Sequence, residues 1–215
     1  MAFILKMFQR LALILVMMCS AYPVLAAVAG TPEAFVEGLV RNALSDLRGQ
    51  LPAPELKRRF AALIAQNFDL PFISRFTLGR YWDSATETER SDFQKLFAEF
   101  LVQAHANNFN EFAGQTIRVT GSMRDGGTIT VMSQLFEGGS SVPKVGLNWV
   151  LHDANPAQGG PLFRIVDVVV IEVGEGRMSL ADWHRDEVRA VIHHRQISRL
   201  RDLNEMIRMR LRSLD

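Results

Sequence analysis

The chain is short of the features that most readily give away a chemistry. Its 215 residues include one cysteine, Cys19, which excludes an intramolecular disulfide framework and any metal site built on paired cysteines. Charge of one sign is also missing. Lys and Arg number 24 against 23 Asp and Glu, a formal net charge of +1, so nothing calls for a nucleic-acid partner. No apolar run is long enough to cross a bilayer: the strongest, residues 11–18, falls well short of the roughly 20 residues needed. The chain carries no nucleophile elbow and no phosphate-binding glycine loop. Asp182, His184, Asp186, His193 and His194 gather metal-ligating types, but no two histidines have the four-residue spacing that puts both on one helical face. Neither metal nor cofactor is therefore expected. No linker divides the sequence.

The N-terminus has the layout of an export signal. Lys6 and Arg10 precede the apolar run, and Val24, Leu25 and Ala26 suit cleavage after Ala26. The expected organisation is a signal peptide over residues 1–26 and one α+β domain over 27–215. An uncleaved membrane anchor is the rival reading. Met18 stands before Cys19, where a lipoprotein signal wants a small residue, so no lipid anchor is expected. Cleavage leaves 22 basic residues against 23 acidic ones, and the mature chain has no cysteine.

Helices come first. Thr31-Pro32-Glu33 is an N-cap, a first-turn proline and an acid facing the helix dipole, followed by Phe35, Leu39, Ala43 and Leu47 at four-residue spacing. After Pro52 and Pro54 a second stripe carries Leu56, Phe60, Leu63 and Ile64, and the pair predicts a helical hairpin. Asp69-Leu70-Pro71 opens a short helix that Gly79 closes. Thr86 and Glu89 form a capping box before a long helix bearing Phe93, Leu96, Phe97, Phe100, Leu101, Phe109 and Phe112. Such a stripe is core packing or the wall of a hollow.

Residues 115–172 change period. Thr116 to Thr120 and Thr128 to Met132 alternate about an Asp125-Gly126-Gly127 turn, a β-hairpin. Val145, Leu147, Trp149 and Leu151 share one face of a third strand. Residues 163–171 are apolar almost throughout, as in a central strand. Asp167 within that run is either a base of raised pKa or a partner of Arg80 or Arg118 that holds the architecture. Beyond Ser179, Val188, Val191, Ile192, Ile197, Leu200, Leu203, Ile207, Leu211 and Leu214 form one stripe with arginines largely off it. That pattern predicts a long C-terminal helix that completes the core or lies on an anionic membrane or a partner.

These pieces, in this order, resemble the MlaC family of periplasmic auxiliary components of lipid-transporting ABC systems, also called toluene-tolerance proteins. The resemblance rests on Leu78, Gly79, Arg80 and Trp82; on Ala85, Thr86, Arg90 and Phe93; on Phe112, Gly114, Ile117 and Val119; on Val142-Pro143; and on Asp167, Val168, Val170, Ser179, Leu180 and Arg185. It spans about residues 31–200. The departures are residues 172–178, longer than the family's junction, and His184 and Asp186 where Tyr and Ser are usual.

The resemblance implies a twisted four-stranded antiparallel sheet covered by helices around an apolar pocket, with a nuclear-transport-factor-like or cystatin-like appearance and a long C-terminal helix. It implies a periplasmic carrier of phospholipid, or of a hopanoid-like lipid as in one branch of the family. Its partners would be an inner-membrane ABC complex of MCE type and an outer-membrane lipoprotein complex. The expected lining is Phe97, Phe100, Leu101, Val119, Val131, Leu147, Trp149, Val168, Val170, Leu180 and Trp183, with Glu172, Arg177, His184 and Arg185 at the mouth. A small pocket enzyme of isomerase or hydrolase type and a purely structural adaptor are the alternatives. No catalytic residue is expected.

Overall fold

The structure, a computed structural model, describes residues 30–46, 51–106, 115–154, 163–172 and 176–213. The export signal, Cys19, Leu47, Phe109, Phe112 and Gly114 lie outside the described residues.

Among the described residues five helices precede the sheet: α1 (Pro32–Asp46), α2 (Ala53–Asn67), α3 (Leu70–Leu78), α4 (Arg80–Asp83) and α5 (Glu87–His105). Their ends follow the signals in the sequence. The Asp69 carboxylate accepts from the Phe72 N–H at 2.9 Å at the start of α3, and Gly79 closes that helix at φ +53°. At the start of α5 the Glu89 N–H donates to the Thr86 hydroxyl while the Thr86 N–H donates to the Glu89 carboxylate, so each satisfies a backbone donor the helix leaves unpaired. Hydrogen bonds from Thr86 hold the Glu89 carboxyl below its ordinary range.

The sheet has five antiparallel strands in sequence order: β1 (Thr116–Asp125), β2 (Thr128–Phe136), β3 (Pro143–Asp153), β4 (Phe163–Glu172) and β5 (Gly176–Ser179). This corrects the four-strand expectation. β5 pairs antiparallel with β4, Gly176 with Glu172 and Ser179 with Val169, and widens the sheet by one strand; residues 173–175 of the junction lie outside the described residues. Four residues, two of them Gly and Ser, are too few to show a two-residue period. The β1–β2 turn places Gly126 at φ +56°, in the left-handed region a tight hairpin requires.

The sequence stripe beyond Ser179 is two helices, α6 (Leu180–His194) and α7 (Leu200–Arg212). The break is a helix stop: the Ile197 N–H returns to the Ile192 carbonyl at 2.9 Å and the Gln196 N–H to the His193 carbonyl at 3.2 Å, with Gln196 at φ +53°. This closure normally uses glycine, so periodicity alone ran through it. α7 buries Leu200, Leu203 and Leu211 and is tied to α5 by Asn204, whose amide donates to the Glu89 carbonyl at 2.9 Å.

Two large clusters make most of the core, and Ala43 and Leu56 form a small third. One large cluster is all-helical, with Phe60, Ile64, Ile73, Phe93, Phe97, Leu101, Ile192 and Leu203 at its centre. The other lies between α1 and the sheet, where Val36, Leu39 and Val40 meet Ile129, Val131, Leu151, Ile165 and Val168. Phe68 touches both. Its neighbour Asp69 donates its N–H to the Ile165 carbonyl at 2.9 Å, beside the irregularity where Val150 pairs with Asp167 but Leu151 with Ile165. The bulge frees a strand carbonyl for the helical layer.

Candidate functional site

Cross-strand pairing decides which side chains share a face. Val119 faces Ser133, Ser133 faces Leu147, and Leu147 faces Val170. In the next row Val131 faces Trp149 and Trp149 faces Val168. The six strand residues expected to line a pocket thus lie on one face, and Leu180 packs against it from the start of α6.

Cover over this face is uneven. Ile129, Val131, Leu151 and Ile165 are 0–1 % exposed, in one cluster with Val36, Leu39 and Val40 of α1, Leu63 of α2 and Leu180 of α6. The Phe35 ring adds a tilted contact with Phe163 at 5.9 Å. Val119, Leu147, Trp149, Val170 and Leu180 are only half-buried. The same apolar surface therefore continues from a sealed end to a half-open one.

Ser133, 3 % exposed, is a buried polar residue of this face that the sequence reading passed over. The Trp149 indole N–H donates to its hydroxyl at 2.9 Å, and that hydroxyl donates to the Leu147 carbonyl at 3.1 Å. The pair settles the one polar atom of the indole inside the face, leaving the ring as apolar wall. The signal was present: a serine at inward parity between Val131 and Leu135, opposite the strand that carries the tryptophan.

Phe97, Phe100 and Leu101 belong to the helical cluster and not to the sheet face. Phe97 stacks on Phe93 at 5.4 Å. It also meets His184 edge-on at 5.8 Å. Trp183 is 45 % exposed and lies 4.7 Å from the His184 ring. The described residues do not bring these α5 side chains together with the strand residues.

The four mouth residues separate in the same way. Glu172, the last residue of β4, and Arg177 of β5 are exposed. Arg185 is half-buried, its guanidinium 4.5 Å over the Phe76 ring and 2.6 Å from Asp182. His184 is only 4 % exposed. It packs among Phe97, Phe100 and Trp183, with its Nε2 at 3.2 Å from the Nε2 of His105 and its Nδ1 at 3.5 Å from the Glu187 carboxylate. Burial, and then His105, push its pKa down to about 4, while burial pushes Glu187 up. His184 is a neutral ring in a helix interface.

Asp167 pairs with neither Arg80 nor Arg118. Its carboxylate accepts the Ala181 N–H at 2.9 Å, and the Ser179 hydroxyl accepts the Asp182 N–H at 3.0 Å. The start of α6 supplies unpaired donors and positive potential, the complement of a carboxylate. The correction leaves Asp167 an architectural residue that seats α6 on β4. Arg118 lies over the Phe136 ring at 4.9 Å. Among the described residues no group of three metal-ligating side chains is close enough to hold an ion, and no helix is long and apolar enough to cross a membrane.

The MlaC protein family model matches residues 38–205. The chain belongs to the MlaC family. No curated protein matches it. Among solved structures it is similar to a phospholipid-binding protein from Ralstonia solanacearum in complex with a phospholipid, at 20 % identity and a TM-score of 0.65, over 85 % of this chain and 97 % of that one. At that identity the likeness speaks for the fold, and this MlaC protein shares the neighbour's α+β architecture.

Proposed function

We propose that this MlaC protein is a periplasmic carrier that holds a phospholipid, or a hopanoid-like lipid, by its apolar part on the helix-facing side of the sheet. The single observation that carries the reading is the half-open apolar surface of Val119, Leu147, Trp149, Val170 and Leu180, continuous with the sealed floor at Val131. Each methylene taken from water there contributes about 0.8 kcal/mol, so some ten of them reach the range of a micromolar complex without directional chemistry. Family membership and a lipid-bound relative of the same fold support the same reading. Asp167, the strongest candidate base, is engaged by the Ala181 N–H, which speaks against the enzyme alternative.

In this reading the chain is exported, is cleaved after Ala26, and exchanges its lipid with an inner-membrane ABC complex of MCE type and an outer-membrane lipoprotein complex. Phe97, Phe100 and Leu101 pack in the separate helical cluster, and the exposed Glu172 and Arg177 stand on the sheet side, where a head group would stay wet. Solvent extraction and mass spectrometry of freshly purified mature protein test the reading. One lipid per chain and an N-terminus at Ala27 are expected. An empty protein that turns over a small apolar ester or ketone would replace the carrier with the enzyme.

A further inference from the structure

A second concavity lies away from the sheet. It is a half-open cleft of about 750 Å3 between the α3–α4 corner and the last turn of α6. Leu78, Ile192 and Ile197 form an apolar floor, and Arg80, Tyr81, Arg189 and Gln196 stand around it. Ile192 lies twelve residues along α6 from Leu180, about 18 Å at the helical rise. A lipid held on the sheet face does not fill this cleft.

Two observations give the cleft a chemistry. The first is charge. Arg80 and Arg189 are both exposed, and neither forms an ion pair among the described residues. Arg80 donates to the Tyr81 hydroxyl at 3.2 Å and lies 5.1 Å over the same ring, which holds its fork at the cleft wall. A Cβ on Gly79 would sit 3.8 Å from the Arg189 Nη2, so that guanidinium rests on the corner where α3 ends. The nearby helix-end carbonyls of Arg75, Ile192 and His193 accept backbone N–H groups.

The second observation is backbone strain. Gln196 is the only non-glycine residue at positive φ among the described residues. Its place in the helix stop is one where glycine is favoured, and the departure leaves an amide side chain on the cleft wall. Unfavourable backbone kept at a concave site is a reason to look for function there.

We propose that this cleft is a second ligand site, for a phosphate-class anion carried on a short apolar or glycerol-like body. Two planar guanidinium forks match phosphate oxygens, the Tyr81 hydroxyl and Gln196 amide add neutral donors, and the floor takes the apolar part. The site stands independently of the lipid reading above.

The test titrates mature protein with glycerol 1-phosphate, following the Nε–Hε resonances of Arg80 and Arg189 by 15N NMR. In parallel it measures co-sedimentation with phosphatidylcholine vesicles with and without phosphatidylglycerol. Glycerol 1-phosphate has no acyl chain, so an unproductive lipid slot leaves this result untouched. Saturable shifts, weakened at least tenfold in the R80Q/R189Q double variant, identify a small soluble phosphate as the ligand. Binding only to the anionic vesicles, with the same tenfold loss, identifies a membrane head group. Gln196→Gly is expected to raise the melting temperature and weaken binding about threefold; unchanged binding overturns the role given to that residue. Failure of both probes to bind, or equal binding by the double variant and the parent, overturns the site.

Discussion

The helical cluster around Phe93 and the sheet cluster around Trp149 are built from the same kinds of side chain, yet they meet solvent differently. In the first, Phe93, Phe97 and Leu203 are 0–1 % exposed, because helices approach Phe93 from several sides and close the space between them. In the second, Ile129, Val131, Leu151 and Ile165 are 0–1 % exposed while Val119, Leu147, Trp149 and Val170 are half-buried. Several helices share the cover, α1 against β1 and β2 and α2, α3 and α6 against β4. The cover is uneven, and the half-buried part of the face is where a ligand can complete the core.

The hardest blow to this contrast is aimed at its closed side. Phe93→Ala is expected to destabilise the protein by about 3–5 kcal/mol in urea unfolding, since a ring that stacks on Phe97 leaves a cavity neighbours cannot fill. A loss below about 1 kcal/mol would show that the helical cluster is as loosely filled as the sheet face.

A charge placed at each end of the sheet face sharpens the comparison. Val131→Asp puts a carboxylate where exposure is 0 % and should cost about 3 kcal/mol or more. Leu147→Asp, at a half-buried position on the same face, should cost only about 1 kcal/mol but reduce co-purified lipid several-fold. Equal stability losses, or full lipid loading of folded Leu147→Asp, would contradict an open end.

Acid should loosen the helical cluster first. His184 titrates at about 4 in the folded protein against about 6.5 in an unfolded chain, so the unfolded state binds more protons between these values and stability falls as pH drops from about 6.5 toward 4. The full effect is on the order of 2–3 kcal/mol. Glu187, raised by burial, acts in the opposite sense above its ordinary pKa, where it favours the folded state as pH falls. His184→Phe keeps the aromatic packing and should flatten the decline in a series of melts from pH 7 to 4; an unchanged slope would relocate the titration elsewhere.

Ser133→Ala is expected to cost about 1–2 kcal/mol with no change in lipid loading, by stranding the Trp149 indole N–H that the hydroxyl now accepts. Indole fluorescence should also shift, because the ring is no longer fixed. A silent variant would mean that water or another group satisfies the nitrogen.

Local rules were legible throughout. The capping box at Thr86 and Glu89, the Asp69 cap, the Gly79 stop and the Gly126 turn each depend on contacts within a few residues, so their chemistry is written beside them. The face shared by Val119, Val131, Leu147, Trp149, Val168 and Val170 followed from two-residue alternation, which antiparallel pairing carries from strand to strand. β5 and the break at Gln196 escaped because one is too short for a period and the other uses a residue that carries no stop signal.

What the sequence by itself determined was most of the elements, their order and the apolar side of the alternating strands β1 to β3, because these depend on neighbours a few positions away. Only the tertiary structure decided that the phenylalanines of α5 pack on helices, that Asp167 seats α6, and that His184 is enclosed by Phe97, Phe100 and Trp183. An amphipathic stripe specifies that a face must be covered and leaves open what covers it. The choice among several equally apolar partners is made by shape and chain connection over tens of residues.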